Sequence, residues 1–187
     1  MISGLTRQIP GFTGCLGIGT VLIACMVALG TPALAQSNNN PSGLPLPRFV
    51  STRSEPINVR VGPGTRYEIS WVFVKAGVPV EVIQEFDTWR KVRDTDGAEG
   101  WVHQNLLSSR RAGYIKPPAD TDTIGVMSAK AENARVRAWL GAGFAVDIEA
   151  CDGSWCAVSA TDAAQKTYSG YVPQNALWGV YPNEVFD

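Results

Sequence analysis

The chain has 187 residues, 45% of them hydrophobic and 18% charged, with a formal net charge of −1. A near-neutral chain without a long basic run is not built to hold nucleic acid by its phosphates, so that class is excluded as the main partner. A single histidine, His103, rules out a metal centre built from several histidines, and nothing in the composition calls for a cofactor.

Residues 1–35 read as a secretory signal peptide. Arg7 precedes an apolar run from Leu16 to Leu29, and Gly30-Thr31-Pro32 leads into Ala33-Leu34-Ala35, a small-x-small cleavage pattern. The run is short for a bilayer core of about 30 Å, so cleavage after Ala35 is expected, with no membrane insertion afterwards. Leu22-Ile23-Ala24-Cys25 resembles a lipobox and is the competing site, which would place a lipid anchor on Cys25. The apolar run continues through Met26–Leu29 beyond that cysteine, which favours Ala35. The expected location is periplasmic or secreted. Without Arg7, 15 of the 16 Lys and Arg remain against 17 Asp and Glu, a net charge of −2. Cys15 and Cys25 leave with the signal peptide, so Cys151 and Cys156 stand as a pair in an oxidising compartment.

Residues 36–47, QSNNNPSGLPLP, are polar and rich in Pro, Gly and Ser, and read as a flexible linker. A first folded unit is expected over 48–111, a second linker over 112–121, a second unit over 122–182 and a tail over 183–187. In the first unit Trp71–Val74 is a short β-branched and aromatic run, and Val78–Phe86 alternates apolar and polar residues. Trp89–Arg93 and Gly100–His103 flank the Asp96-Gly97 turn signal. Short strands with frequent turns point to a small barrel or sandwich, and no window sustains a helical stripe.

The two units repeat each other. A shift of 66 positions places Gly77 on Gly143, Trp89 on Trp155 and Val92 on Val158. After a four-residue insertion between Asp94–Gly97 and the longer Thr161–Ser169, Gly100–Leu107 lies over Gly170–Leu177. Insertions of this kind are tolerated in hairpin turns.

Asn58-Val59-Arg60-Val61-Gly62-Pro63-Gly64-Thr65 resembles the opening motif of bacterial SH3 domains. Gly77–Val82, Trp89-Arg90-Lys91-Val92 and Gly100-Trp101-Val102 resemble the strands that follow it in that family. The resemblance covers residues 48–110 and, less closely, 122–182, where Ile124–Lys130 replaces the opening motif. The ending Trp178-Gly179-Val180-Tyr181-Pro182 is similar to an exported proteobacterial subgroup. The resemblance implies an all-β fold of two tandem SH3-like small barrels, and a role at the cell envelope, where such domains commonly occur and several bind peptidoglycan peptides.

Gly62-Pro63-Gly64 is expected to shape a turn, with Pro presetting φ and Gly supplying positive φ. Cys151 and Cys156 flank an Asp152-Gly153 reversal, which sets them opposite each other for a structural disulfide worth about 2 kcal/mol. Their spacing is not that of a redox C-x-x-C motif. His103 has no nucleophile motif beside it and reads as a surface or groove residue. Glu81 and Glu85 have solvent-facing strand spacing, and Asp94 and Asp96 flank a turn, so no catalytic residue is assigned.

Tyr67, Trp71 and Trp101, with Arg60 and Arg66 beside them, are the candidates for a partly exposed binding groove. Flat aromatic faces suit extended peptides and sugar rings. The expected function is non-catalytic binding or scaffolding at the cell envelope, with peptidoglycan or an envelope protein as partner. A periplasmic protein–protein adaptor and a weak cell-wall hydrolase are the alternatives.

Overall fold

The computed structural model describes residues 40–187; the signal peptide expected over 1–35, its cleavage site and Cys25 lie outside the described residues. The architecture is all-β, with two 3-10 turns, Gln104–Leu106 and Gln174–Ala176, besides the strands. The first sheet contains β1 (Arg48–Thr52), β2 (Ile57–Arg60), β3 (Ile69–Phe73), β4 (Pro79–Phe86), β5 (Trp89–Arg93), β6 (Glu99–His103) and β7 (Leu107–Ser108). The second contains β8 (Ala112–Ile115), β9 (Thr123–Met127), β10 (Val136–Gly141), β11 (Ala145–Asp152), β12 (Trp155–Thr161), β13 (Thr167–Pro173), β14 (Leu177–Trp178) and β15 (Val185–Phe186).

The strand order is β3-β2-β6-β5-β4-β1-β7 in the first sheet and β10-β9-β13-β12-β11-β8-β14 in the second, the same path taken twice. Both are curled antiparallel sheets of SH3-like barrels. Each closes around β-branched side chains supplied by alternate strand positions. Ile57, Val59, Val80, Val82, Val92 and Val102 are fully covered in the first, and Val126, Val158, Ala160 and Val172 are covered to within 1% in the second. Each fully buried aliphatic side chain of this size contributes about 1.5–3 kcal/mol.

The repeat extends to irregularities. The β4–β5 pairing slips between Val82 and Gln84, and the β11–β12 pairing slips between Ile148 and Ala150, the positions 66 residues on. A bulge adds one residue and reverses which later side chains face inward. Glu85, expected to face solvent from its alternation with Glu81, therefore turns inward opposite Arg90, and its side chain is fully covered. The equivalent cross-strand pair in the second barrel is Cys151 opposite Cys156, joined as the expected disulfide. One barrel closes this end with an ion pair and the other with a covalent bond.

The connecting segments are more ordered than their composition suggests. In the segment expected as a flexible linker, the Ser42 backbone N–H and hydroxyl both donate to the Glu85 carboxylate, at 2.9 and 2.7 Å. Leu46 packs against the first core. Residues 112–115, expected within the second linker, form β8 and pair with β11 and β14. Only Ser109–Arg111 separate the last strand of one sheet from the first of the next. The tail carries β15, whose Phe186 pairs with Cys151.

The two barrels pack on each other. Phe49 of β1, 9% exposed, meets Trp178 edge-on at 5.1 Å and Tyr181 at 4.8 Å. The Tyr181 hydroxyl donates to Glu81 at 2.8 Å, and Arg110 pairs with Asp147. Arg111 grips Glu184 with both terminal nitrogens, at 2.8 and 3.1 Å, and its guanidinium lies 4.3 Å from the Phe186 ring centre. Gln174 donates to the carbonyls of Tyr181 and Glu184, which fastens the C-terminal turn to the second barrel.

Candidate functional site

The candidate groove residues divide between two faces of the first sheet. Val59 pairs with Trp71, and Trp71 packs against the core with Phe73 edge-on at 6.1 Å. Its indole nitrogen is buried with no hydrogen-bond partner among the described residues. A Cβ on Gly100 would stand 2.5 Å from Val59 and 3.0 Å from the far edge of the Trp71 ring. Glycine at that position is what lets the indole cross β6.

Trp101 follows Gly100 and so projects to the other face, with Arg60 and Lys91 beside it in the ladder. It is only 9% exposed, less than expected of a groove wall. β6 is an interior strand, between β2 and β5, so Trp101 has a neighbouring strand on each side.

Arg60, Arg66 and Tyr67 do come together. Arg60 donates to the Tyr67 carbonyl at 2.7 Å, and Arg66 donates to the Tyr67 hydroxyl at 3.2 Å. The Arg66 guanidinium also lies 5.1 Å from the Tyr67 ring centre. The loop over 61–68 is folded by Val61 N–H donating to the Glu68 carbonyl and Tyr67 N–H to the Gly64 carbonyl. Neither Gly62 nor Gly64 adopts positive φ, contrary to the sequence expectation. Gly62 serves a different purpose, because a Cβ there would sit 2.5 Å from the Tyr67 ring. The missing side chain lets Tyr67 lie flat on the loop, half-buried, with Arg66 exposed next to it. This corner offers an aromatic face and a cation, a combination suited to a carboxylate-bearing or polar ligand.

Several other titratable side chains are held in structural networks. Burial pushes the Glu85 carboxyl up, but hydrogen bonds from Ser42 and Arg48, with the Arg48 charge, outweigh it and leave it below its ordinary value. Glu184 follows the same pattern, with burial opposed by Arg111 and the Tyr181 backbone N–H. Burial and the Glu81 carboxylate push the Tyr181 phenol up. His103 accepts a hydrogen bond from the Asn105 N–H at 3.3 Å and meets Trp89 edge-on at 5.5 Å. It is therefore engaged at the strand end rather than displayed in a groove.

Sequence reasoning did not anticipate the concavity at the junction of the barrels, whose walls include Tyr114 and Trp178. Tyr114 was hidden in a segment that reads as linker, and Trp178 in a C-terminal motif with no assigned role. Neither could be placed beside the first barrel without knowing how β8 and β14 pair.

These features define a class, the small SH3-like β-barrel. Residues 53–109, spanning most of the first barrel, match the family model described as the bacterial SH3 domain. No curated protein matches the chain. Among solved structures, NlpC2 from Trichomonas vaginalis is 12% identical over 71% of this chain and 48% of its own, with a TM-score of 0.29. NlpC1 from the same organism is 12% identical over 72% of this chain and 46% of its own, with a TM-score of 0.29. The chain thus spans just under half the length of either protein.

Proposed function

We propose that this protein is an exported, non-catalytic binding and scaffolding component of the cell envelope that recognises peptidoglycan or its peptides. The observation that carries this reading is the bacterial SH3 match over residues 53–109. One feature supports a binding rather than a catalytic role: the Cys151 and Cys156 sulfurs are bonded to each other, so neither is a free thiol nucleophile. The corner of Arg60, Arg66 and Tyr67 is the part of the expected groove best placed to meet a ligand.

Co-sedimentation of the purified chain with peptidoglycan sacculi at low and high salt tests the reading. Retention at both salt concentrations is expected, and loss of all retention would remove peptidoglycan as the ligand. Replacing Tyr67 and Arg66 together with Ala should lower retention of a still-folded protein; unchanged retention would remove that corner from the site.

A second reading, a periplasmic protein–protein adaptor, is favoured by apolar side chains displayed at the sheet edges. Val72 on β3 is 41% exposed, Val74 just beyond it 72%, and Trp139 on the edge strand β10 67%. Enrichment of one envelope protein on the immobilised chain, with no retention by sacculi, would select this reading.

A further inference from the structure

The junction of the two barrels holds a cleft of about 900 Å³, at the upper end of the range of about 300–1,000 Å³ occupied by small-ligand sites. Its floor is an aromatic platform. Tyr114 of β8 pairs with Trp178 of β14, and their rings stack with centres 6.5 Å apart at an interplanar angle of 21°. Phe49 of the first barrel butts edge-on against Trp178 and fixes its orientation. The platform is thus held by both barrels and needs no rearrangement to receive a ligand.

The rim carries charge of both signs. Lys75 and Asp96 contribute from loops of the first barrel, and Lys116 and Asp122 from the second. All four are exposed, and none forms an ion pair with another described residue. Two unpaired cations and two unpaired anions around an apolar floor are complementary to one kind of small molecule. It has an apolar body, a carboxylate and an ammonium group. A uniformly anionic ligand would meet Asp96 and Asp122, and a neutral sugar would leave all four charges unused.

We infer that the inter-barrel cleft binds a short zwitterionic peptide, its backbone and methyl groups laid on Tyr114 and Trp178. Its carboxylates face Lys75 and Lys116, and its ammonium faces Asp96 and Asp122. The inference rests on the envelope reading for the source of such a peptide, the stem peptides of the cell wall. It adds to the Arg66–Tyr67 corner a second contact that needs both barrels, because neither alone supplies the rim.

The test is calorimetric titration of the full chain with a synthetic alanyl-glutamyl-diaminopimelyl-alanine stem tetrapeptide. It is compared with the same peptide after its amines are acetylated and its carboxylates amidated. The free tetrapeptide should bind at least about tenfold more tightly than the blocked form, as expected when charge-assisted contacts are lost. A chain carrying Lys75→Glu and Lys116→Glu, both on exposed positions, should melt like the unmodified protein and lose at least about tenfold in affinity for the free form. Equal binding of free and blocked peptides, unchanged affinity of the double variant, or no binding of either peptide would each overturn the cleft assignment. Sacculus retention is measured on the same preparations. Retention without tetrapeptide binding overturns the cleft and leaves the envelope reading standing. Tetrapeptide binding without retention supports the cleft and removes the sacculus as the target.

Discussion

The cross-strand bond between Cys151 and Cys156 joins residues only five apart, and the stability it supplies can be worked from that separation. In the chain-entropy account, closing so short a loop removes about 2 kcal/mol of freedom from the unfolded chain. The bond lies inside the second barrel, with Cys156 fully buried and Cys151 4% exposed, and it holds the strand that receives β15. Reduction should therefore lower the unfolding free energy by about 2 kcal/mol. The temperature shift depends on whether the barrels unfold together. If the Phe49–Trp178–Tyr181 contact makes them one cooperative body of about 150 residues, the midpoint should fall by about 4–8 °C. If the second barrel unfolds alone, its own midpoint should fall by about 8–16 °C and the first should not move. Urea and thermal unfolding followed by tryptophan fluorescence, with and without reductant, separates the cases. A Cys151→Ala, Cys156→Ala variant controls for effects of the reductant itself. Coincident curves for oxidised and reduced protein, with thiol alkylation proving reduction, would refute the reasoning.

Glu85→Ala strands Arg90 at the corresponding place in the first barrel and should cost about 3 kcal/mol by chemical denaturation. The figure is at the lower end for a buried pair because Arg90 keeps its hydrogen bonds to the Asp87 and Trp89 carbonyls and to Gln104. Glu85 and Glu184 are both held below their ordinary value of 4.5, so the stability they supply is complete above that pH and is lost as the pH falls through their lower folded values. Stability measured across that acid range should decline, and Glu85→Ala should decline less steeply. Phe49→Ala opens the junction and should cost about 3 kcal/mol; where the oxidised protein melts in one transition, the variant should melt in two by calorimetry. Gly100→Ala drives a methyl to 2.5 Å from Val59 and should cost about 1–3 kcal/mol, measured as a lower urea midpoint.

The sheet fold was legible in the chain because alternation, turn residues and an internal repeat all specify it locally. The 66-residue shift that places Trp89 on Trp155 also superposes the bulges after Val82 and Ile148, and the longer shift places Gln104–Leu106 on Gln174–Ala176. The disulfide was legible for the same reason, since Asp152-Gly153 reverses the chain between its two cysteines.

What lay beyond local pattern was decided by tertiary structure. Strict alternation sends Glu85 to solvent, and only the bulge, a property of the pairing of two strands, turns it inward onto Arg90. Trp101 carries the same apolar label whether exposed or covered; its place on the interior strand β6 favours covered. Residues 112–115 look like linker because their partners β11 and β14 lie more than 30 and 60 residues further along the chain. The cleft between Tyr114, Trp178 and the first barrel has no sequence signature at all, because a surface shared by two barrels exists only once both have folded and met.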